Sequence, residues 1–117
     1  MSTVTEQPIR IQVLRLRGEL TLEDSLKIKN LIGEYLKGGL VHVVLNLENV
    51  SHIHLSGLPV FVERARRLRE YGGDMKLVGL SAYLNHILEL AGVSKDFDFC
   101  RSEEEASIRF SGVQAAA

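Results

Sequence analysis

The segment SHIHLSGLPVF (51–61) gathers the residues best placed to do chemistry. His52 and His54 are two apart. On a strand such side chains share a face, and two imidazoles could chelate a metal ion. A zinc site needs three or four ligands. The other histidines are His42 and His86 and the single thiol is Cys100, none at a telling spacing. The pair therefore reads as polar loop residues, with no metal and no cofactor expected. Ser56 on a strand-to-helix turn resembles a nucleophile elbow, but the first glycine of G-x-S-x-G would fall on His54. No base with an orienting carboxylate is visible, so an enzyme is not expected. Phosphate-binding G-x-x-x-x-G-K and G-x-G-x-x-G patterns are also absent.

What remains for Ser56 is a helix start. Backbone N–H groups there are unpaired and carry partial positive charge, and a serine can satisfy one of them. A phosphate suits the same place, adding roughly −1.5 to −2 charges where the helix dipole favours them. Pro59 fits a first helical turn because it needs no N–H there, although it disfavours helical geometry at Leu58.

These residues must be held by the elements around them. Residues 9–17 (IRIQVLRLR) alternate apolar and polar as in a strand with one wet face, and the slip at Val13-Leu14 permits a bulge. Thr21 with Asp24 resembles a capping box, opening a helix over about 22–36 with Ile28, Ile32, Tyr35 and Leu36 on one face. Gly38-Gly39 stops it. Residues 41–47 (VHVVLNL) are nearly all apolar, which suits a central strand covered on both faces. Leu58, Phe61, Val62, Ala65 and Leu68 form one helical stripe over 58–71, closed by Gly72-Gly73. A strand over 75–80 follows, then a helix capped by Ser81 and closed by Gly92. A short strand over 97–100 precedes a terminal helix opened by the capping box Ser102-x-x-Glu105. The strand–helix alternation predicts a largely parallel sheet with right-handed crossovers.

The whole chain has 117 residues, 45% apolar and 25% charged, ordinary for one soluble globular domain. A net charge of −1 gives no field to attract nucleic acid. The run ERARRLRE (63–70) sets four arginines against two glutamates, which reads as a solvated helix face with ion pairs. One cysteine allows no internal disulfide and fits a reducing compartment. The N-terminus lacks the basic start and apolar run of a signal peptide, and no apolar run approaches the roughly 20 residues that span a bilayer. A cytoplasmic location is expected.

The segments RLRGELT (15–21), VVLNLENVSHIHLSGL (43–58), YGGDMKLVGLS (71–81) and LELAGVSKDFDF (88–99) resemble, in order and spacing, the STAS family of anti-sigma factor antagonists and sulfate-transporter domains. The resemblance implies a single α/β domain over 9–110, with tails at 1–8 and 111–117. Its sheet would have four to five strands, mostly parallel, with about four helices mainly on one face. In the bacterial antagonists, the serine of a D-S-S-G motif is phosphorylated by an anti-sigma factor that is also a serine kinase; the unphosphorylated form binds that kinase and frees the sigma factor. Ser56 and Gly57 match that serine and its glycine. His54 stands at the aspartate, Leu55 at the other serine, and Thr21 where an acidic residue often follows G-E-L. The resemblance thus implies a switch at Ser56, a partner-binding surface of Thr21, His54, Leu55, Ser56, Gly57 and Leu58, and an anti-sigma serine kinase as partner. A non-phosphorylated scaffold subunit and a nucleotide-sensing domain are the alternatives.

Overall fold

The computed structural model describes residues 9–112; the rest of the two expected tails lies outside the described residues. Four strands and four α-helices alternate: β1 (Ile11–Leu20), α1 (Leu22–Lys37), β2 (His42–Ile53), α2 (Leu58–Glu70), β3 (Asp74–Val78), α3 (Ala82–Leu90), β4 (Asp98–Cys100) and α4 (Glu103–Ser111). A single 3₁₀ turn, Leu55–Gly57, joins β2 to α2. The strands run in the order β1-β2-β3-β4, each parallel to its neighbour. An unbroken order with crossovers of one hand puts the three connecting helices on the same face.

That face holds the main core. Val43, Leu45 and Leu47 of β2 and Met75 of β3 pack with Ile32 of α1, Leu68 of α2 and Leu88 of α3. The expected stripes on α1 and α2 are those that bury: Ile28 and Ile32, and Leu58, Phe61, Val62, Ala65 and Leu68. The opposite face is smaller: Val44, Val78 and Cys100 lie under Ala106 and Phe110 of α4. The first half of β1 has no wet face, because Ile11 and Val13 point to the α4 side while Leu14 points to the main core; the expected polar positions Arg15 and Arg17 are exposed. The adjacent pair Val13-Leu14 thus marks a stretch covered on both sides, and its register with Val44 and Leu45 is unbroken.

The bulges lie further on. Arg15 pairs with Asn46 but Arg17 with Asn49, and Gly18 pairs with Val50 but Glu19 with His52. At each step β2 carries one residue more than β1. The extra residues shift the inward set of β2 from Leu47 to Val50 to Ile53, all buried. β2 therefore extends six residues beyond the expected end at Leu47, and what reads as a loop with two histidines is half strand.

Caps fix the ends. Asp24 N–H donates to Thr21 Oγ1 at 3.1 Å, and Thr21 N–H donates to Asp24 Oδ2 at 2.9 Å, completing the predicted box. Ser81 and Ser102 accept from Leu84 N–H at 3.1 Å and Glu105 N–H at 3.0 Å. The Glu105 carboxylate turns instead to Arg109 at 2.9 Å, a charged partner in place of the reciprocal cap bond. α4 runs one residue past the expected domain boundary and stops at Gly112, whose φ of 72° is left-handed.

Beneath α4 lies a charged cluster. Lys76 is buried, bonded to Asp98 at 2.6 Å, with its ammonium 4.6 Å from the centre of the Phe110 ring. Burial works to raise the Asp98 pKa, but hydrogen bonds from Lys76 and Arg109 outweigh it and hold the carboxyl below its usual range. The His42 ring packs on Phe110 at 4.7 Å. Burial, then the Lys76 charge, push the His42 imidazole below its ordinary value, against the pull of Asp74. The unfolded chain binds that proton more readily, so this contribution to stability is full above about pH 6.5 and declines as pH falls below it. The urea midpoint is expected to drop between pH 7 and 5.5, and His42→Gln to flatten that slope; an unchanged slope in the variant removes His42 as its source.

Candidate functional site

The end of β2 and the turn after it carry the candidate residues. His54 N–H donates to Leu20 O at 2.9 Å, tying the turn to the end of β1. Gly57 N–H then donates to His54 O at 2.9 Å, and Leu58 N–H to Leu55 O, closing the 3₁₀ turn. These backbone bonds use the N–H groups that Ser56 was expected to cap. Ser56 sits inside the turn, and Gly57 is the N-cap of α2, with no side-chain cap bond. Pro59 follows in the first turn, as anticipated. Leu58 is helical despite preceding it, because its side chain is 1% exposed in the core and packing outweighs the local preference.

The two histidines do not act together. His52, on β2, meets the Tyr83 hydroxyl of α3 through Nδ1 at 2.7 Å. His54 Nδ1 lies 2.7 Å from Ser56 Oγ and accepts from Ser56 N–H at 3.4 Å. His54 is thus the cap of the 3₁₀ turn, the role first given to the serine.

Of the expected partner-binding residues, Thr21, His54, Leu55 and Ser56 are exposed, whereas Gly57 and Leu58 are buried. Leu58 is a core residue and presents no surface. Leu55 is 60% exposed, large for an apolar side chain. Leu22 and Leu26, one turn apart on α1, are also exposed and flank Ser25 on that helix. The periodicity of α1 missed these leucines because they fall outside its core stripe; their presence in the first turns of α1 was the available signal.

Gly57 has an ordinary φ of −84°, so the turn itself does not require glycine. Contact does. A Cβ at 57 would overlap Ser25 Oγ and stand 3.0 Å from Ser25 Cβ. Ser25 is fully buried and donates its hydroxyl to Thr21 O at 3.1 Å, so it has no room to withdraw. The first turn of α1 and the 3₁₀ turn therefore pack backbone against side chain.

Other polar groups are engaged elsewhere. An open groove of about 720 Å³ runs past the start of α4, where Glu103 is held by Arg15 at 2.7 Å and by Asn46 at 2.7 Å. Along 63–70, Arg64 pairs with Glu63 and Arg67 stacks on Tyr71. Arg66 and Arg69 reach Asp96 and Asp74, carboxylates outside that helix, rather than Glu70. Cys100 is buried, and burial raises its thiol pKa, leaving it a poor nucleophile. Among the described residues no helix is long and apolar enough to cross a membrane.

Gly57→Ala is expected to cost about 1–3 kcal/mol by overpacking. Ser25→Gly on the same chain should recover part of that loss, giving a favourable coupling of at least about 0.5 kcal/mol in a urea-unfolding double-mutant cycle. Strict additivity would show that the two positions do not press on each other.

Comparisons with known proteins agree with this geometry. The anti-sigma F factor antagonist of Paenibacillus polymyxa is 27% identical over 86 residues, covering 73% of this chain and 74% of that protein. An anti-sigma-B factor antagonist of Staphylococcus aureus is 24% identical over 80 residues, covering 68% and 74%. The unphosphorylated anti-sigma factor antagonist SpoIIAA superposes with a TM-score of 0.76 at 24% identity, covering 97% of this chain and 96% of that one. The Bacillus cell fate determinant SpoIIAA in its phosphorylated form gives 0.67 at 26% identity, covering 92% and 95%. The STAS domain family matches residues 2–106, nearly the whole chain, and with its all-parallel four-stranded sheet and its helices the protein belongs to the STAS domain family.

Proposed function

We propose that this protein is an anti-sigma factor antagonist. It acts by binding an anti-sigma factor that is also a serine kinase, and it is switched off when that kinase phosphorylates Ser56. The names of its relatives support the general role. The observation that carries the switch is the state of the Ser56 hydroxyl. It is exposed and caps no helix, and its turn leads directly into α2.

The start of α2 favours negative charge. Its first turn contains no acidic residue, and its cap is a glycine with no side-chain bond. Nothing in that turn offsets the partial positive charge of the helix end. A phosphoryl group on Ser56 adds charge there without breaking a structural bond of the serine side chain other than its contact with His54.

The docking surface follows from exposure. Leu55, Leu22 and Leu26 supply apolar area, and Thr21, His54 and Ser56 supply polar contacts beside it. The two turns that carry these residues pack on each other through Gly57 and Ser25, and protein interfaces combine apolar and polar side chains in this way. A phosphate in that patch would have to be desolvated on docking or meet acidic groups of the partner, and either weakens binding. Regulated binding, rather than catalysis, is the activity of this site, and the cytoplasm is where such a partner would be met.

Incubation with the cognate anti-sigma kinase and ATP should add one phosphate by intact mass and none to Ser56→Ala; absence of an adduct would favour a scaffold role instead. Ser56→Asp is expected to weaken kinase binding at least about tenfold, about 1.4 kcal/mol. Its stability should stay within about 0.5 kcal/mol of the parent, because the site is exposed. Equal affinity of the kinase for both forms by calorimetry defeats the switch.

A further inference from the structure

We propose that the His54 imidazole is the built-in counter-ion of a phosphoryl group on Ser56, so that the modified turn holds an imidazolium–phosphate pair in place of an uncompensated phosphate. The proposal rests on reading Ser56 as the phosphoacceptor and names how that site handles the added charge.

The geometry begins with a tautomer. His54 Nδ1 lies 3.4 Å from Ser56 N and 2.7 Å from Ser56 Oγ. A backbone N–H can only donate, so Nδ1 is the acceptor and the ring proton of the neutral imidazole sits on Nε2. The serine hydroxyl donates to the same nitrogen. A phosphoryl group replaces that hydroxyl hydrogen with a group that presents acceptor oxygens. The 2.7 Å approach then survives as an attraction only if Nδ1 carries a proton and donates to a phosphate oxygen.

A phosphoserine loses its second proton near pH 6. A proton shared between the ring and the phosphate makes a charge-assisted hydrogen bond, stronger than a neutral one. Proton uptake at Nδ1 ends its acceptance from the Ser56 amide, a long contact of 3.4 Å, and puts a charge-assisted bond to the phosphate in its place.

The neighbouring charges do not supply this role. On α1, Glu23 pairs with Lys27 at 3.5 Å, and Asp24 accepts from the Thr21 amide and hydroxyl, both at 2.9 Å. Glu19, next to the last residue of β1, pairs with His52, and His52 is engaged with Tyr83 of α3. The first turn of α2 carries neither acid nor base. Among the described residues, the titratable side chain in contact with Ser56 is His54. A carboxylate at this position would repel the phosphate, whereas the imidazole draws it against the turn. The modified surface then presents about one unit less negative charge, with the phosphate directed toward residue 54.

The test uses the full chain with phosphoserine installed at position 56 during translation, compared with the same protein carrying His54→Gln or His54→Asp. Phosphorus NMR is followed as a function of pH. The phosphate of the parent should titrate about one pH unit lower than that of His54→Gln, and lower still than that of His54→Asp. The folded parent should also titrate below the same protein unfolded in urea, a comparison that needs no variant. Equal midpoints across the three proteins, or folded and unfolded parents that coincide, overturn the pair. Because the phosphate is installed without the kinase, a kinase that leaves Ser56 unmodified would defeat the proposed function and leave this result standing.

Discussion

Seven consecutive residues, 41–47, contain five apolar side chains that a strand must send alternately to both faces. No arrangement with an open face can bury them, so both sides of β2 must be covered. The rest of the molecule meets that demand. β1 and β3 flank the strand, α1, α2 and α3 cover one face, and α4 covers the other. The coverage is unequal: the α4 side has four buried members, Val44, Val78, Cys100 and Ala106, supplemented by Ile11, Val13 and Phe110. A helix with so little apolar contact needs other ties, and its charged bonds to Asp98, Arg15 and Asn46 supply them.

The same strand aims the site. Two extra residues in β2 bend its second half, because a bulge increases local twist and re-aims the chain. Ile53 still reaches the core, and the following turn crosses the first turn of α1. There Gly57 lies against Ser25, and the backbone bonds from His54 to Leu20 and from Gly57 to His54 close the corner. Ser56 is held outward by these contacts without taking part in them through its side chain. Its accessibility follows from the packing of the glycine that comes after it.

Much of this was legible in the amino-acid pattern. Apolar stripes at helical spacing, paired glycines after helices, and Thr21 and Ser81 before them located the helices closely. The far half of β2 was not legible. Period-two alternation fails there because each bulge inserts a residue, and Leu47, Val50 and Ile53 then recur at every third position. The local role of Ser56 was hidden for a related reason. A serine before a helix normally caps it, but here a 3₁₀ turn uses the N–H groups first, and the capping atom is an imidazole nitrogen that sequence rules do not anticipate. The reason for Gly57 was also hidden, since it depends on Ser25, 32 positions earlier in the chain.

The positions where this chain departs from the D-S-S-G pattern can now be weighed against what the fold asks of each. His54 and Leu55 are exposed, and the backbone bonds that close the turn do not depend on their side chains. Gly57, which matches the pattern's glycine, is buried against Ser25, and Leu58 after it is buried in the main core. Folding therefore constrains the second pair and leaves the first to recognition. The substitutions at 54 and 55 exchange a negative, hydroxyl-bearing edge for an imidazole and an exposed leucine. That exchange removes like-charge repulsion toward a phosphate and adds apolar contact area. It leaves the 3₁₀ turn intact, because His54 Nδ1 can accept from the Ser56 amide as a carboxylate oxygen would. On the proposed function, these two positions face the partner, whereas the scaffold that presents them is set by residues beneath the surface.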